Sequence, residues 1–266
     1  MNRLQDKVAI VTGAAGNLGF TGAHAMAAEG ARVVMMDISP SVADRAAELA
    51  KQGLEVVPYV GDVSDESDIR EMVNLAARTY GRLDVLWNNA GLIGADWLDR
   101  DTDVVGVTRD HLMRTLEVNL LSVFLGSKYA IPVMAEGGGG SIINTSSIQS
   151  AGGDLALVSY GTSKAAIDYL TQSIATSYGH LRIRCNAIAP GLVPPPAVDD
   201  GRAKSAPVQL LRDSQMLPYV GEPSDVSNAV VFLASDESKF ITGQRINVDG
   251  GATGHLPTLS DRRKAA

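Results

Sequence analysis

The sequence predicts an α/β fold, a doubly wound parallel sheet of about seven strands with helices on both faces, in a single domain. Three observations predict it. Short Val- and Ile-rich runs alternate with longer Ala-rich segments whose apolar residues recur every three or four positions. The short runs are mostly apolar, as suits strands covered on both faces. No linker, internal repeat or low-complexity tract divides the 266 residues.

Taken in order, Lys7–Thr12 is the first strand and a glycine turn leads from it into a helix over 18–29. Arg32–Asp37 and Leu54–Val60 follow as strands, with a helix over 41–52 between them, and a helix over 65–80 leads to the strand Leu83–Asn88. A long helix over 108–136 precedes Ser141–Ser146, and a helix over 159–178 precedes Arg182–Ile188. A helix over 225–235 and the strand Arg245–Val248 close the series. Right-handed crossovers then place the helices on both faces. Two stretches break the rhythm. Leu92–Val107 carries Asp96, Asp99, Asp101 and Asp103, and Leu192–Pro223 carries Pro194-Pro195-Pro196, Pro207 and Pro218. Connections this long tend to be functional, so both are expected on the substrate side, with 192–223 as a lid and 252–266 as a C-terminal tail.

Composition narrows the function. Lys and Arg number 23 against 30 Asp and Glu, a formal charge of -7, and no basic run exceeds Arg262-Arg263-Lys264. A nucleic-acid surface needs a basic patch, so nucleic acid is not an expected partner. One cysteine forms no internal disulfide, and the four scattered histidines form no metal cluster, so no metal is expected and a reducing compartment is. The segment MNRLQDKVAIVTG has no apolar signal region, and no window reads as a membrane span. A cytoplasmic protein is the expectation.

Chemistry collects at the carboxyl ends of the predicted strands, where such sheets bind ligands. The first strand runs into Thr12-Gly13-Ala14-Ala15-Gly16-Asn17-Leu18-Gly19. A pyrophosphate suits the helix N-terminus there, with Gly13 making the turn, Gly16 and Asn17 tolerating left-handed backbone or close approach, and Gly19 letting helix pack on strand. A tight strand-to-helix connection has the same look. Asp37 ends the second strand, 18 residues after Gly19. Its carboxylate can accept both hydroxyls of an adenosine ribose, although a helix-start aspartate before Ser39-Pro40 is the plainer use. Neither Ile38 nor Gly16 offers the cation that a 2′-phosphate wants, which favours NAD over NADP. Tyr160 and Lys164 lie four apart, on one face of a helix. An ammonium beside a phenol lowers its pKa and suits it to proton exchange with an alcohol, whereas a solvated helix face accounts for the bare spacing equally. Ser147, 13 residues before Tyr160, follows a strand.

Together with Asp62-Val63, Asn88-Asn89-Ala90-Gly91, Asn119, Pro190-Gly191, Ile241-Thr242-Gly243-Gln244 and Val248-Asp249-Gly250-Gly251, this ordered set resembles the short-chain dehydrogenase/reductases of the single-domain kind over nearly the whole chain. The resemblance implies a Rossmann-type fold and a nicotinamide dinucleotide. Tyr160 would be the acid/base, Ser147 would hold the substrate oxygen, Lys164 would bind the nicotinamide ribose and lower the Tyr160 pKa, and Asn119 would order a relay water. Leu18, Gly19 and Ile38 would join the cofactor contacts, Asp62 and Val63 would flank the adenine, and Asn89, Ala90 and Gly91 would border the cofactor. Pro190, Gly191 and Val193 would meet the nicotinamide. Two departures stand out. Gly13, Gly16 and Gly19 give T-G-x-x-G-x-x-G, the spacing of the extended branch, but the chain ends soon after Gly251, as single-domain members do. Pro195 stands where the family often has threonine.

The expected activity is NAD-dependent interconversion of an apolar secondary alcohol, cyclic alcohols and diols included, with its ketone. Leu155, Leu157, Leu192, Val193, Leu210, Leu211 and Met216 supply the apolar substrate side. The alternatives are an NADPH-dependent ketone reductase of the same family and a non-catalytic dinucleotide sensor, which tends to lose the tyrosine or lysine kept here. A small-molecule alcohol or ketone, no nucleic acid and no membrane are the expected partners. A homotetramer is implied, through the helices at 108–136 and 159–178 and a tail that docks on a neighbour.

Overall fold

Val8–Thr12, five consecutive buried residues rich in β-branched side chains, forms β1 in the interior of a seven-stranded sheet. The computed structural model describes residues 2–194, 206–256 and 258–265. The other strands are β2 (Arg32–Asp37), β3 (Val56–Val60), β4 (Val85–Asn88), β5 (Gly140–Thr145), β6 (Ile183–Pro190) and β7 (Arg245–Val248), in the spatial order β3-β2-β1-β4-β5-β6-β7. Every pairing is parallel. The strand order reverses between β1 and β4, which opens a crevice at their carboxyl ends.

The helices are α1 (Asn17–Ala28), α2 (Ser41–Ala50), α3 (Glu66–Tyr80), α4 (Ala95–Leu98), α5 (Arg109–Leu116), α6 (Ser122–Glu136), α7 (Val158–Tyr178), α8 (Ala206–Asp213), α9 (Pro223–Ala234) and α10 (Leu259–Ala265). Their ends follow local chemistry. Asp65 caps α3 by accepting from the Ser67 N–H, and Gly81, at φ 76°, ends it in left-handed backbone. Glu222 and Asp225 form a capping box at α9, with Pro223 in its first turn. One face of the sheet packs on α1, α2 and α9 around Val11, Met26, Val33, Leu49 and Val230. The other packs on α3, α6 and α7 around Ile10, Ile69, Met72, Leu86 and Met134.

The strands and long helices stand where the sequence puts them. The helix read over 108–136 is interrupted: α5 passes through a π-helical segment, Glu117–Leu121, before α6. By composition Arg109–Glu136 is long and apolar enough to cross a membrane, but more than half of its apolar window is buried in the protein. The long connections are not wholly irregular, because α4 lies in the first and α8 in the second. Pro195, Pro196 and Pro257 lie outside the described residues. The tail folds onto its own chain: the Arg263 guanidinium donates to the carbonyls of Gln215 and Met216 at 2.6 and 2.8 Å.

Candidate active site

The turn after β1 is shaped by what a side chain would strike. Gly13 has φ 67°, and a Cβ there would lie 2.9 Å from the Ala90 Cα. A Cβ at Gly19 would lie 2.1 Å from the Gly13 carbonyl oxygen, so only glycine lets α1 begin this close to the turn. Gly16 and Asn17 adopt no left-handed backbone, which leaves close approach as the use the sequence expects of them. Gly16 has φ -75°, and Asn17 is the first helical residue. Leu18 packs inward against the core. No side chain caps α1, which leaves its first amides open to an anion.

The neighbouring strands brace this turn. Thr12 Oγ1 accepts from the N–H groups of Asn89 (3.0 Å) and Ala90 (3.1 Å), and the Asn89 amide donates to the Thr12 carbonyl at 3.0 Å. The Asn89 side chain is therefore structural, leaving the backbone of Ala90 and Gly91 to border the crevice. Asp37 ties β2 to the turn, its Oδ2 accepting from Ala15 N–H and its Oδ1 from Ser39 N–H, both at 2.9 Å. Each oxygen keeps a further lone pair for a ribose hydroxyl. Ile38 is 64% exposed beside it. Asp62 accepts from the Ser64 N–H and hydroxyl, and Arg114 approaches its other oxygen at 3.5 Å. Burial pushes this carboxyl up, but the Ser64 bonds and Arg114 together hold it below the usual range. Val63 is buried. At the far side, Pro190 ends β6, Gly191 N–H donates to the Val248 carbonyl at 3.0 Å, and Val193 packs on the core.

Ser147, Tyr160 and Lys164 converge beyond the end of β5. Ser147 is 7% exposed in extended backbone, and its hydroxyl accepts from Gln149 N–H. Tyr160, in the first turn of α7, is partly exposed, and the Ser147 side chain lies near enough to its phenol to pull the phenol pKa down. Lys164, one turn on, is buried, donates to the Thr145 carbonyl at 2.7 Å and lies 5.5 Å from the centre of the Tyr160 ring. Asn119 sits in the π-helical segment, its amide accepting from Leu92 N–H at 2.8 Å and donating to Ser163 at 3.2 Å. A Cβ at Gly91 would lie 3.4 Å from the Asn119 Oδ1 and 3.8 Å from the Lys164 Nζ, so these three share one pocket wall.

Burial pushes the Tyr160 phenol above its ordinary value, with Ser147 opposing. The Lys164 ammonium is aimed at the Thr145 carbonyl rather than the phenol oxygen, and burial brings it down to about 8 against the pull of Asp168.

Arg245 was not legible as a site residue. From β7 its guanidinium donates to the Ser147 carbonyl (3.0 Å) and the Ser150 hydroxyl (3.0 Å) and pairs with Asp168 at 3.2 Å, so it holds the Ser147 loop against α7. An arginine opening a short strand gives no sequence signal for this. Of the apolar residues expected to face substrate, Leu192, Val193 and Met216 line a cavity of about 440 Å³ with Leu217 and Tyr219, beside Asp249. Leu155 and Leu210 are exposed elsewhere.

Comparison with known proteins agrees with this geometry. A family model described as enoyl-(acyl carrier protein) reductase matches residues 13–253. The chain is 38% identical to a 7alpha-hydroxysteroid dehydrogenase of Bacteroides fragilis, over 98% of this chain and 99% of that one. It is 37% identical to the 3-oxoacyl-[acyl-carrier-protein] reductase FabG of Thermotoga maritima, over 94% and 98%. A short-chain type dehydrogenase/reductase from Mycobacterium ulcerans superposes with a TM-score of 0.87 at 30% identity, covering 94% of this chain and 90% of that one. With its seven-stranded sheet, its glycine turn and its Ser147, Tyr160 and Lys164 in place, the chain belongs to the short-chain dehydrogenase/reductase family of nicotinamide-dependent oxidoreductases.

Proposed function

We propose that the protein is an NAD-dependent dehydrogenase that interconverts an apolar secondary alcohol, cyclic alcohols and diols included, with the corresponding ketone. The convergence of Ser147, Tyr160 and Lys164 beside the glycine turn carries the reading. A bound nicotinamide supplies or accepts the hydride. The chain's part is to hold the carbinol oxygen between the Ser147 and Tyr160 hydroxyls, with Tyr160 taking or giving the proton. Lys164 would hold the nicotinamide ribose, and Asn119 would order a relay water. Gly13, Gly16, Asn17, Leu18 and Gly19 would receive the pyrophosphate, and Asp37 and Ile38 the adenosine ribose. Asp62, Val63, Asn89, Ala90 and Gly91 would line the adenine and ribose path, and Pro190, Gly191 and Val193 the nicotinamide.

Asp37 supports NAD. A 2′-phosphate there would meet a carboxylate at hydrogen-bond distance with only Ile38 beside it, and like charges that close cost several kcal/mol when poorly solvated. Likeness to a hydroxysteroid dehydrogenase supports a ring-bearing alcohol. Likeness to an acyl-carrier-protein reductase favours a second reading, a reductase working from the ketone.

The test is an alcohol panel of cyclic alcohols, diols, terpenoids and steroids, run with NAD and NADP on the wild type and on Tyr160→Phe. The expected kcat/KM with NAD exceeds that with NADP by at least about tenfold. Tyr160→Phe keeps NAD affinity and loses at least about 10²-fold in kcat, with Ser147→Ala losing less. Near wild-type kcat in Tyr160→Phe would overturn the site assignment, and equal use of both cofactors would overturn the role of Asp37.

A further inference from the structure

The first turn of α7, which carries Tyr160, is capped by another part of the chain. Leu157, the residue before it, has left-handed backbone at φ 63° and no side-chain acceptor. The leading amides of the helix therefore need acceptors from elsewhere. All come from one point in the connection between β4 and α5. Leu157 N–H donates to the Asp101 carbonyl at 2.7 Å and Val158 N–H to the Thr102 carbonyl at 3.3 Å. Ser159 N–H donates to Asp101 Oδ1 at 3.0 Å, and Tyr160 N–H donates to Asp101 Oδ2 at 2.8 Å. Asp101 is 2% exposed, whereas Asp96, Asp99 and Asp103 in the same connection are not buried.

We infer that Asp101 is a positioning residue for Tyr160: its carboxylate clamps the first turn of α7, and its charge offsets the positive end of that helix beneath the phenol. The inference rests on the reading of Tyr160 as the acid/base. Two effects follow. The clamp fixes the Tyr160 backbone relative to the Ser147 loop, which Arg245 holds from the other side. The charge works against tyrosinate, because an uncompensated helix N-terminus favours an anion within its first turn.

Other ionisable groups lie near this end of α7, and the His111 Nε2 among them is buried without a hydrogen-bond partner among the described residues. Lys164 is held by Thr145, and Asp168 is paired with Arg245. On α5, His111 is stacked on Trp97 and Arg114 is bonded to Asp62. Glu117 in the π-helical segment is paired with Arg114, and Asp154 after β5 accepts from Gln149. None of them accepts from the Tyr160 N–H, which among the described residues donates to Asp101.

The test reads the phenol directly, as the ultraviolet difference titration of each protein against its own Tyr160→Phe counterpart, alongside kcat and KM for the best alcohol. In Asp101→Asn, Tyr160 is expected to ionise at least about half a pH unit lower than in the wild type. Its kcat should fall at least about tenfold with KM changed less than threefold, as loss of alignment at the reacting group predicts. Asp101→Glu, which keeps the charge, restores the titration midpoint without restoring kcat. If Asp101→Asn fails to fold, Asp101→Ser, whose hydroxyl can accept one of the two amides, replaces it with the same expected direction. An unchanged midpoint in a folded, charge-free variant overturns the inference, as does lost thermal stability with kcat and midpoint intact. Because the titration needs no turnover, a wild type inactive on every alcohol would refute the proposed function while still deciding whether Asp101 governs Tyr160.

Discussion

Lys164 is asked to stay buried and to act as a cation, and the two demands oppose each other. Burial brings it from an ordinary 10.5 to about 8. A lysine lowered on folding gives up its proton in the native state while the unfolded chain still holds it. Between about pH 8 and 10.5 unfolding therefore takes up a proton, and stability rises with pH through that window. Cys185, raised by burial from 9.0 to about 12, acts in the opposite sense from about pH 9 upward, and Tyr160, also raised by burial, does so above about pH 10; both act alike in the wild type and in Lys164→Met. Denaturant unfolding at pH 8.5 and 9.5 should show a slope about one proton smaller in Lys164→Met than in the wild type. Equal slopes would mean that Lys164 keeps its charge in the fold. Ser147, Tyr160 and Lys164 are legible in the sequence as a candidate site, because the proposed chemistry needs those side chains at fixed spacing. Arg245 is not, since it acts largely through the Ser147 carbonyl, an atom that every residue type possesses.

Among the elements, the contact between the β1 turn and α1 is the least forgiving. A Cβ at Gly19 would fall 2.1 Å from a backbone oxygen, and a backbone atom cannot swing aside as a flexible side chain can. Gly19→Ala should cost about 1–3 kcal/mol of stability through overpacking and weaken NAD binding at least about tenfold, as α1 moves off the turn. Chemical denaturation and a fluorescence titration measure the two losses. Gly16→Ala is the control for the stability loss alone, because its Cβ would meet only the Gly13 oxygen, at an ordinary 3.4 Å. The same pair shows how far sequence reading reaches. Strand positions followed from Val and Ile runs buried on both faces, since that pattern has few other uses. The backbone of Gly16 and Asn17 did not follow, because glycine and asparagine permit left-handed conformation without requiring it. The π-helical segment at Asn119 was equally hidden, as one residue of slippage hardly alters a 3.6-residue periodicity. The helices α4 and α8, of four and eight residues, are too short for periodicity to register.

At the scale of the whole molecule, an apolar surface is left uncovered by the described residues. Met113, Leu121 and Phe124 are 40%, 41% and 49% exposed, and with Leu116, Leu120 and Leu170 they line a groove where α5 and α6 run beside α7. The core accounts for the buried face of these helices, so the core does not explain why the outer face is also apolar. The family resemblance reads it as the contact between copies in a homotetramer. A net charge of -7 keeps separate molecules apart, so association there must come from apolar burial, about 1.5–3 kcal/mol for each large side chain covered. Phe124→Asp would place an unpaired carboxylate in that contact, at a cost of several kcal/mol per interface. The fold should survive, because Phe124 is already half-exposed in the single chain. Sedimentation at micromolar protein is expected to show four copies for the wild type and smaller species for Phe124→Asp, with the far-ultraviolet circular dichroism unchanged. A monomeric wild type would sink the prediction. A tetramer that persists in Phe124→Asp would move the contact to another surface, with the tail beyond Gly251 the next to test.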